Sequence, residues 1–319
     1  MNAKIFAAAL CMAAAFCNAA EQYPSKPVRL VVPFSPGGGN DIAARFVAQR
    51  LTEGFGQSAV VDNRPGAGST LGTDLVAKSV PDGYTLLVTH NAIAINQTLY
   101  SKLPYDTVRD FTQVAIIGAT TNTLVVNPGV PVRSTRDLIA LAKGKPGSLN
   151  YASTGAGGTS HLAMEYFRLE TATSLVHIPY KGTAPGLTDV VAGQVQVMIS
   201  ALPGTVPFIQ SKRVVAIATT GKNRSAFLPD LPTLAESGVP GYEFDTWYGL
   251  HAPSKVPAGI VARLNGEITR ALSRQDVKDQ LFRQGLEAQT STPEGFKQFV
   301  LSEVAKMGKI IKASGARPE

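Results

Sequence analysis

Cysteine is scarce in this chain of 319 residues. Its two cysteines, Cys11 and Cys17, both lie near the amino terminus. Disulfides and cysteine-bound metal sites are therefore excluded from the remainder, whose stability must come from core burial. Histidine is scarce as well, and its four copies never form an H-x-x-x-H pair. Since acidic metal-binding loops are also missing, we expect neither a metal ion nor another cofactor.

Charge is low and evenly spread along the chain. Lysine and arginine number 30 against 23 acidic residues, which gives a formal net charge of +7 without any basic block. A protein that binds nucleic acid would carry a clustered basic patch, so we expect no nucleic-acid partner. A small anionic ligand remains possible.

After its start, the chain has no apolar run near the length of about 20 residues that crosses a bilayer. Residues 1 to 20 contain one early cation, Lys4, followed by a short apolar run and small residues. This pattern is typical of a secretory signal peptide, and we expect cleavage after Ala19, with Ala20 as the alternative. Bulky residues before both cysteines disfavour a lipid-anchored cysteine. We therefore expect a soluble periplasmic protein.

Short apolar runs alternate with helical patterns along the chain, which predicts βαβ units, an α/β fold and a largely parallel sheet. The predicted strands are 28–33, 59–61, 85–89, 124–126, 150–152, 175–178, 195–199 and 214–219. The predicted helices are 42–51, 70–78, 135–143, 160–169, 184–192, 203–211, 258–272, 275–284 and 293–313.

The length of the chain suggests two domains. Two apolar, β-rich stretches, 114–126 and 244–252, are the places where the chain could cross between two α/β lobes. We expect a discontinuous first lobe, residues 20–123 and 246–319, and an inserted second lobe, residues 124–245.

A first glycine-rich segment, 33–41 (PFSPGGGND), follows a predicted strand and opens a helix. Its glycines allow the backbone to approach a ligand closely, and the helix start adds partial positive charge, so the segment suits a carboxylate or a phosphate. Its spacing matches neither a dinucleotide-binding fingerprint nor a P-loop. A plain turn with a helix cap explains this segment equally well.

A second glycine-rich segment, 153–161 (STGAGGTSH), has the same strand-to-helix position and adds hydroxyl donors. Two such loops in different lobes could face each other across a cleft and hold one anion from both sides. Ser153 and His161 could alternatively be a nucleophile and its base. No G-x-S-x-G elbow and no third catalytic member supports that hydrolase interpretation.

Aromatic residues mark two further places. Tyr180 and Lys181 end a predicted strand just before a helix, and we favour ligand contact for Tyr180 but a solvated side chain for Lys181. Trp247 and Tyr248 lie in the second crossing stretch, where packing in the core or hinge is the default and cleft lining is the functional alternative.

Five motifs, in order, resemble the Bug family of extracytoplasmic solute receptors, which serve tripartite tricarboxylate transporters. They are VVPFSPGGGNDIAAR (31–45), DNRPGAGSTLGTDLVAKSVPDGYTLLV (62–88), YASTGAGGTSHLAMEYF (151–167), HIPYKGTAPGLTDVVAGQVQVM (177–198) and LPDLPTLAESGVPGYEFDTWYGLHAP (228–253). The resemblance implies a type II periplasmic binding protein whose two lobes, joined by two crossing strands, close on a small carboxylate.

The resemblance also implies which residues surround the ligand. It points to the two glycine-rich loops and to side walls formed by the ends of other strands. These positions are Phe34, Gly38, Gly39, Asn40, Asp41, His90, Ser153, Thr154, Gly157, Gly158, Thr159, His161, Tyr180 and Ser200.

Two positions depart from the family pattern. Asn40 stands where the family often has Thr or Ser, and Ser200 stands where it commonly has Asp. An acid at position 200 would suit an amino group or repel a second carboxylate, and Ser200 removes that charge. We therefore expect a ligand whose far end is uncharged, aromatic or a second carboxylate, in preference to an amino acid.

The resemblance thus implies a monomeric receptor that makes and breaks no bond and passes a small carboxylate to the membrane subunits of a transporter. Closure around the ligand would follow from its higher affinity for the closed state. A ligand sensor that docks to a periplasmic signalling domain would have the same fold and remains the alternative, with the secreted serine hydrolase third.

Replacing Asp41 with Ala should disturb the first glycine-rich loop and weaken ligand binding. The expected loss of affinity is measurable by calorimetric titration of the purified variant and the wild type. Unchanged affinity in Asp41→Ala would count against this loop as part of the site.

Overall fold

The computed structural model describes residues 23–318, in which strands alternate with helices. The predicted signal peptide and its cleavage site lie outside these residues. Within this part of the chain, no helix is long and apolar enough to cross a membrane.

The strands, in chain order, are β1 Val28–Val32, β2 Ala59–Asn63, β3 Thr85–His90, β4 Phe111–Thr120, β5 Asn122–Val126, β6 Asn150–Ser153, β7 Val176–Pro179, β8 Val197–Ala201, β9 Val215–Thr219, β10 Thr246–Pro253 and β11 Glu287–Ala288. The α-helices are α1 Gly39–Phe55, α2 Thr70–Ala77, α3 Ala92–Leu99, α4 Thr135–Gly144, α5 Thr159–Thr171, α6 Thr183–Ala192, α7 Leu202–Gln210, α8 Ala258–Leu272, α9 Gln275–Arg283 and α10 Pro293–Ser314.

Two separate sheets form two lobes, as the α/β two-lobe prediction requires. The first sheet has the strand order β11-β4-β10-β3-β1-β2, and the second has the order β7-β6-β8-β5-β9. The chain leaves the first sheet after Thr120, enters the second at Asn122, and returns to the first at Thr246. We refer to the lobes by these sheets and the helices that connect their strands.

The prediction of a largely parallel sheet is wrong, because both sheets are mixed. Strand β1 pairs in parallel with β2 and β3, and β6 pairs in parallel with β7 and β8, but β5 and β10 are antiparallel to all their neighbours. The first residues of β10 and β5 lie beside the last residues of β3 and β8, since Tyr248 pairs with His90 and Asn122 with Ala201. Each crossing strand therefore enters its sheet from the cleft side and runs in the direction opposite to that of the parallel strands.

Most predicted elements agree with the observed ones to within a few residues, and helix 258–272 coincides with α8. Helix α3 was not predicted. Six of its eight residues are buried, so its sequence shows no polar stripe of helical period. The predicted crossing stretch 114–126 is divided at Thr121 into β4 and β5.

Asn122 joins the two crossing segments at the hinge. Its Nδ2 donates hydrogen bonds to the Phe244 carbonyl oxygen (2.6 Å) and to the Thr220 Oγ1 (3.1 Å), and its Oδ1 accepts one from the Thr246 Oγ1 (2.7 Å). Asn122 is only 1% exposed. Breaking these hydrogen bonds would leave buried polar groups unpaired, which costs free energy. The Asn122 side chain therefore fixes the position of one crossing segment relative to the other.

We expect Asn122→Ala to lower the free energy of unfolding by about 2 to 4 kcal/mol, since it removes three hydrogen bonds of a buried side chain and leaves the Thr246 hydroxyl without its acceptor. Chemical denaturation measures this loss. The matched control is Asn223→Ala at an exposed position, which should change the unfolding free energy by less than about 0.5 kcal/mol. Equal effects of the two substitutions would contradict a structural role for Asn122.

Candidate functional site

Four helices begin beside one cavity between the lobes. They are α1 of the first lobe and α5, α6 and α7 of the second, and their N-cap residues are Gly38, Gly158, Gly182 and Ala201. None of these N-caps supplies a side-chain cap hydrogen bond. The first backbone N–H groups of a helix carry partial positive charge. The cavity is therefore suited to an anion.

The cavity is narrow in this arrangement of the lobes, with a volume of about 20 Å³, which is room for about one water molecule. It is lined by Phe34, Ser35, Gly38, Gly39, Asn40, His90, Thr154, Thr159, Ser160, Thr183, Ala201, Thr246 and Tyr248. Within residues 23–318, this lining contains no Lys, Arg, Asp or Glu. Any attraction for an anion must come from the helix starts and from neutral donors.

Half of the residues predicted for the site line this cavity, namely Phe34, Gly38, Gly39, Asn40, His90, Thr154 and Thr159. The other half lie outside the lining, namely Asp41, Ser153, Gly157, Gly158, His161, Tyr180 and Ser200. The prediction did not include Ser35, Ser160, Thr183, Ala201, Thr246 and Tyr248. Of these, Tyr248 was considered as a cleft residue because an aromatic pair in a crossing strand can face the cleft.

Asp41 shapes the first glycine-rich loop from behind. Its Oδ2 accepts hydrogen bonds from the Gly37 backbone N–H (3.1 Å) and the Arg45 Nε (2.9 Å), and its Oδ1 accepts one from the Asn63 Nδ2 (3.2 Å). Asp41 is 4% exposed. Its carboxylate thus holds the loop and the first turn of α1 in place.

Ser153 and His161 support the second glycine-rich loop in the same way. The Ser153 Oγ accepts from the Gly155 N–H (3.1 Å), and the His161 Nδ1 accepts from the Gly157 N–H (3.3 Å). His177 connects the two, because its Nε2 lies 2.6 Å from the Ser153 Oγ and its ring stacks on His161 with centroids 4.4 Å apart. The sequence pattern indicates no role for His177, which lies on the neighbouring strand β7.

Tyr180 and Ser200 lie outside the cavity lining. The Tyr180 hydroxyl donates to the Asp189 Oδ2 at 2.6 Å within its own lobe. Burial, together with Asp189, raises the pKa of Tyr180 to about 12. Ser200 is 1% exposed on β8, and the next residue, Ala201, is the one that lines the cavity. Successive strand residues point to opposite faces.

His90 lines the cavity as an uncharged side chain. Burial lowers the pKa of His90 to about 3, so the ring carries no charge at neutral pH. Its Nδ1 accepts the Ala92 backbone N–H at 3.0 Å, which leaves the ring proton on Nε2. The ring packs on Phe34 with centroids 4.6 Å apart, and the Thr159 Oγ1 of the second lobe lies 3.1 Å from its Nδ1.

The lobes touch each other on both sides of the cavity. The Ser35 N–H and Oγ of the first lobe both donate to the Lys181 carbonyl oxygen of the second at 2.9 Å. The Tyr100 hydroxyl donates to the Ala156 carbonyl oxygen at 3.1 Å. These contacts define a closed arrangement of the two lobes.

Comparisons with known proteins cover almost the whole chain. A family model described as "Tripartite tricarboxylate transporter family receptor" matches residues 43–316. Protein BugT of Bordetella pertussis is 35% identical over 300 residues, which are 93% of this chain and 92% of BugT.

Two solved structures from Rhodopseudomonas palustris are similar in fold and sequence. Rpa4515 with adipate has a TM-score of 0.91 and 37% identity, and the match covers 93% of this chain and 100% of that one. MatC with bound malate has a TM-score of 0.87 and 31% identity, with 91% and 100% covered. The family model describes a receptor, so the prediction that this chain is not an enzyme is confirmed and the hydrolase alternative is wrong.

The Gly68→Ala variant should hinder closure. A Cβ on Gly68 would lie 1.7 Å from the Ala156 carbonyl oxygen of the other lobe. We expect the variant to bind ligand about tenfold more weakly or worse and to show a larger radius of gyration by X-ray scattering at saturating ligand.

Gly56→Ala is the matched control for this prediction. Gly56 has φ +70 where Gly68 has φ +58, so both variants strain the backbone, but no atom lies within 4 Å of a Cβ at Gly56. If both variants have the affinity and the radius of the wild type, the contact at Gly68 does not govern closure.

Proposed function

The chain belongs to the tripartite tricarboxylate transporter family of receptors, and we propose that it captures a small organic carboxylate between its lobes and delivers it to the membrane subunits of such a transporter. Its resemblance to the Bug receptors, inferred from five motifs, is confirmed. Receptors of this family are periplasmic solute-binding proteins. We propose the same location for this chain after cleavage near Ala19, and its monomeric state stays a prediction.

The observation that carries the proposal is the convergence of four uncapped helix amino termini on a cavity without charged side chains. Each helix start is equivalent to roughly half a positive charge. Four of them together approach about two charges, which would balance a small dicarboxylate. A phosphate group would accept hydrogen bonds from the same donors, so a thermal-shift screen has to compare carboxylates with phosphate.

The structural neighbours support the carboxylate class. Rpa4515 was solved with adipate and MatC with malate, both of which are dicarboxylates. The proposed ligand contacts in this chain are the cavity-lining residues of both lobes. Asn40 and Tyr248 belong to the first lobe, and Thr159 and Thr183 to the second.

We propose that residues 20–123 and 246–319 form one lobe and residues 124–245 the other. The sheet order supports this division, because β4 and β10 belong to the first sheet and β5 to β9 belong to the second. Ligand binding then stabilises the closed form, since only there does it contact donors from both lobes at once.

A thermal-shift screen of the mature protein tests the proposed ligand class. The protein is first unfolded and refolded to remove any molecule retained from the expression host. Mono- and dicarboxylates are then compared with their amides and with inorganic phosphate. A ligand at about 100 times its Kd should add about 2.7 kcal/mol of stability, which is a shift of several degrees.

Stabilisation by acids but not by their amides is the expected result. Stabilisation by phosphate alone, or by none of these compounds, would refute the proposed carboxylate class.

A further inference from the structure

Two buried polar atoms on the cavity wall have no hydrogen-bond partner in the described part of the chain. They are the Asn40 Oδ1 and the Tyr248 hydroxyl oxygen. Asn40 is 5% exposed and Tyr248 is 1% exposed, and both side chains line the cavity. An unpaired buried polar atom is unfavourable unless a bound molecule satisfies it.

Both residues lie at the first turn of α1, which forms one corner of the cavity. The Tyr248 hydroxyl lies 2.0 Å from the point that a Cβ on Gly39 would occupy, so it reaches the first turn of α1 only because residue 39 is glycine. Asn40 is the next residue of that turn. The ring of Tyr248 is held edge-on to His90, with centroids 6.3 Å apart, and its hydroxyl is therefore fixed in position.

Three hydroxyl groups of the cavity lining already donate to other acceptors. The Ser160 Oγ donates to the Thr154 Oγ1, the Thr246 Oγ1 donates to the Asn122 Oδ1, and the Ser35 Oγ donates to the Lys181 carbonyl oxygen. A ligand that donates a hydrogen bond would satisfy the Asn40 Oδ1.

A carboxylate alone cannot supply that hydrogen. Ionised carboxylates only accept hydrogen bonds, so they can take the Tyr248 proton but leave the Asn40 Oδ1 unpaired. A hydroxyl group both accepts and donates, and it can satisfy the two atoms together. We propose that this corner recognises a hydroxyl group next to a ligand carboxylate, which makes Asn40 and Tyr248 specificity-determining residues for a hydroxydicarboxylate.

An ammonium group in place of the hydroxyl would also donate to Asn40, but the surrounding charge disfavours it. The four helix starts are positive, and the cavity lining among residues 23–318 contains no carboxylate. The nearest acid in sequence, Asp41, is already engaged by Arg45, Asn63 and the Gly37 N–H. A cation at this corner would lack a counter-charge.

This inference rests on the proposed carboxylate-binding function, and one set of matched compounds tests both. Succinate, malate and aspartate share a four-carbon diacid and carry hydrogen, hydroxyl and ammonium at the same carbon. Glutarate and 2-hydroxyglutarate repeat the first comparison with one more carbon. Calorimetric titration of the refolded mature protein gives each Kd.

The hydroxy acid of at least one pair should bind about tenfold more tightly than its unsubstituted partner, and aspartate should bind more weakly than succinate. In Tyr248→Phe and in Asn40→Ala, the ratio of hydroxy-acid to plain-acid affinity should fall towards one. Tyr105→Phe is the matched control, because it removes a buried hydroxyl, 4% exposed, that is not part of the cavity lining; its ratio should equal that of the wild type.

Equal affinities for the hydroxy and plain acids, or an unchanged ratio in Tyr248→Phe and Asn40→Ala, would overturn the hydroxyl inference while leaving carboxylate binding intact. Tightest binding of aspartate would overturn the charge argument and the inference with it. Absence of binding by every acid would instead refute the proposed function.

Discussion

The convergence of helix amino termini on one cavity is the constraint on which the rest of the site depends. Helix α1 comes from the first lobe, and α5, α6 and α7 come from the second. Their N-caps make no side-chain cap bonds, so the partial charge of the first-turn amides of α1, α5 and α6 remains available to the cavity. In α7 the Leu202 N–H donates to the Thr121 carbonyl oxygen and Pro203 has no N–H. Part of this charge is contributed by each lobe, so the proposed anion site is complete only when the lobes meet. Under the proposed function, the ligand therefore binds and stabilises the closed form in one step.

Neutral backbone amides can hold an anion at a lower desolvation cost than a charged side chain can. A lysine or arginine enclosed with the ligand would lose its hydration, and that cost can exceed the attraction gained. Helix amides are fixed in place by their own backbone and need no such reorganisation.

Glycine is present at two positions where another group of the protein approaches the backbone closely. Gly39 leaves room for the Tyr248 hydroxyl, and Gly68 leaves room for the Ala156 carbonyl oxygen of the opposite lobe.

The glycine-rich loops are supported by polar side chains behind them. Asp41 holds the first loop, whereas Ser153 and His161 hold the second, with His177 between those two. The resemblance to the Bug receptors implied ligand contact for Asp41, Ser153 and His161. In the structure these three side chains accept loop N–H groups and lie outside the cavity lining, so they position the backbone of the loops.

The sequence by itself determined most of the order of strands and helices, the two crossings and the two glycine-rich loops, because hydrophobic period and turn residues act over short distances along the chain. Only the tertiary structure decided that both sheets are mixed and that Thr183, Thr246 and Tyr248 complete the cavity. Strand β10 returns to the first sheet more than a hundred residues after β4 leaves it. No local pattern records such a pairing, since it depends on how two lobes pack around a hinge.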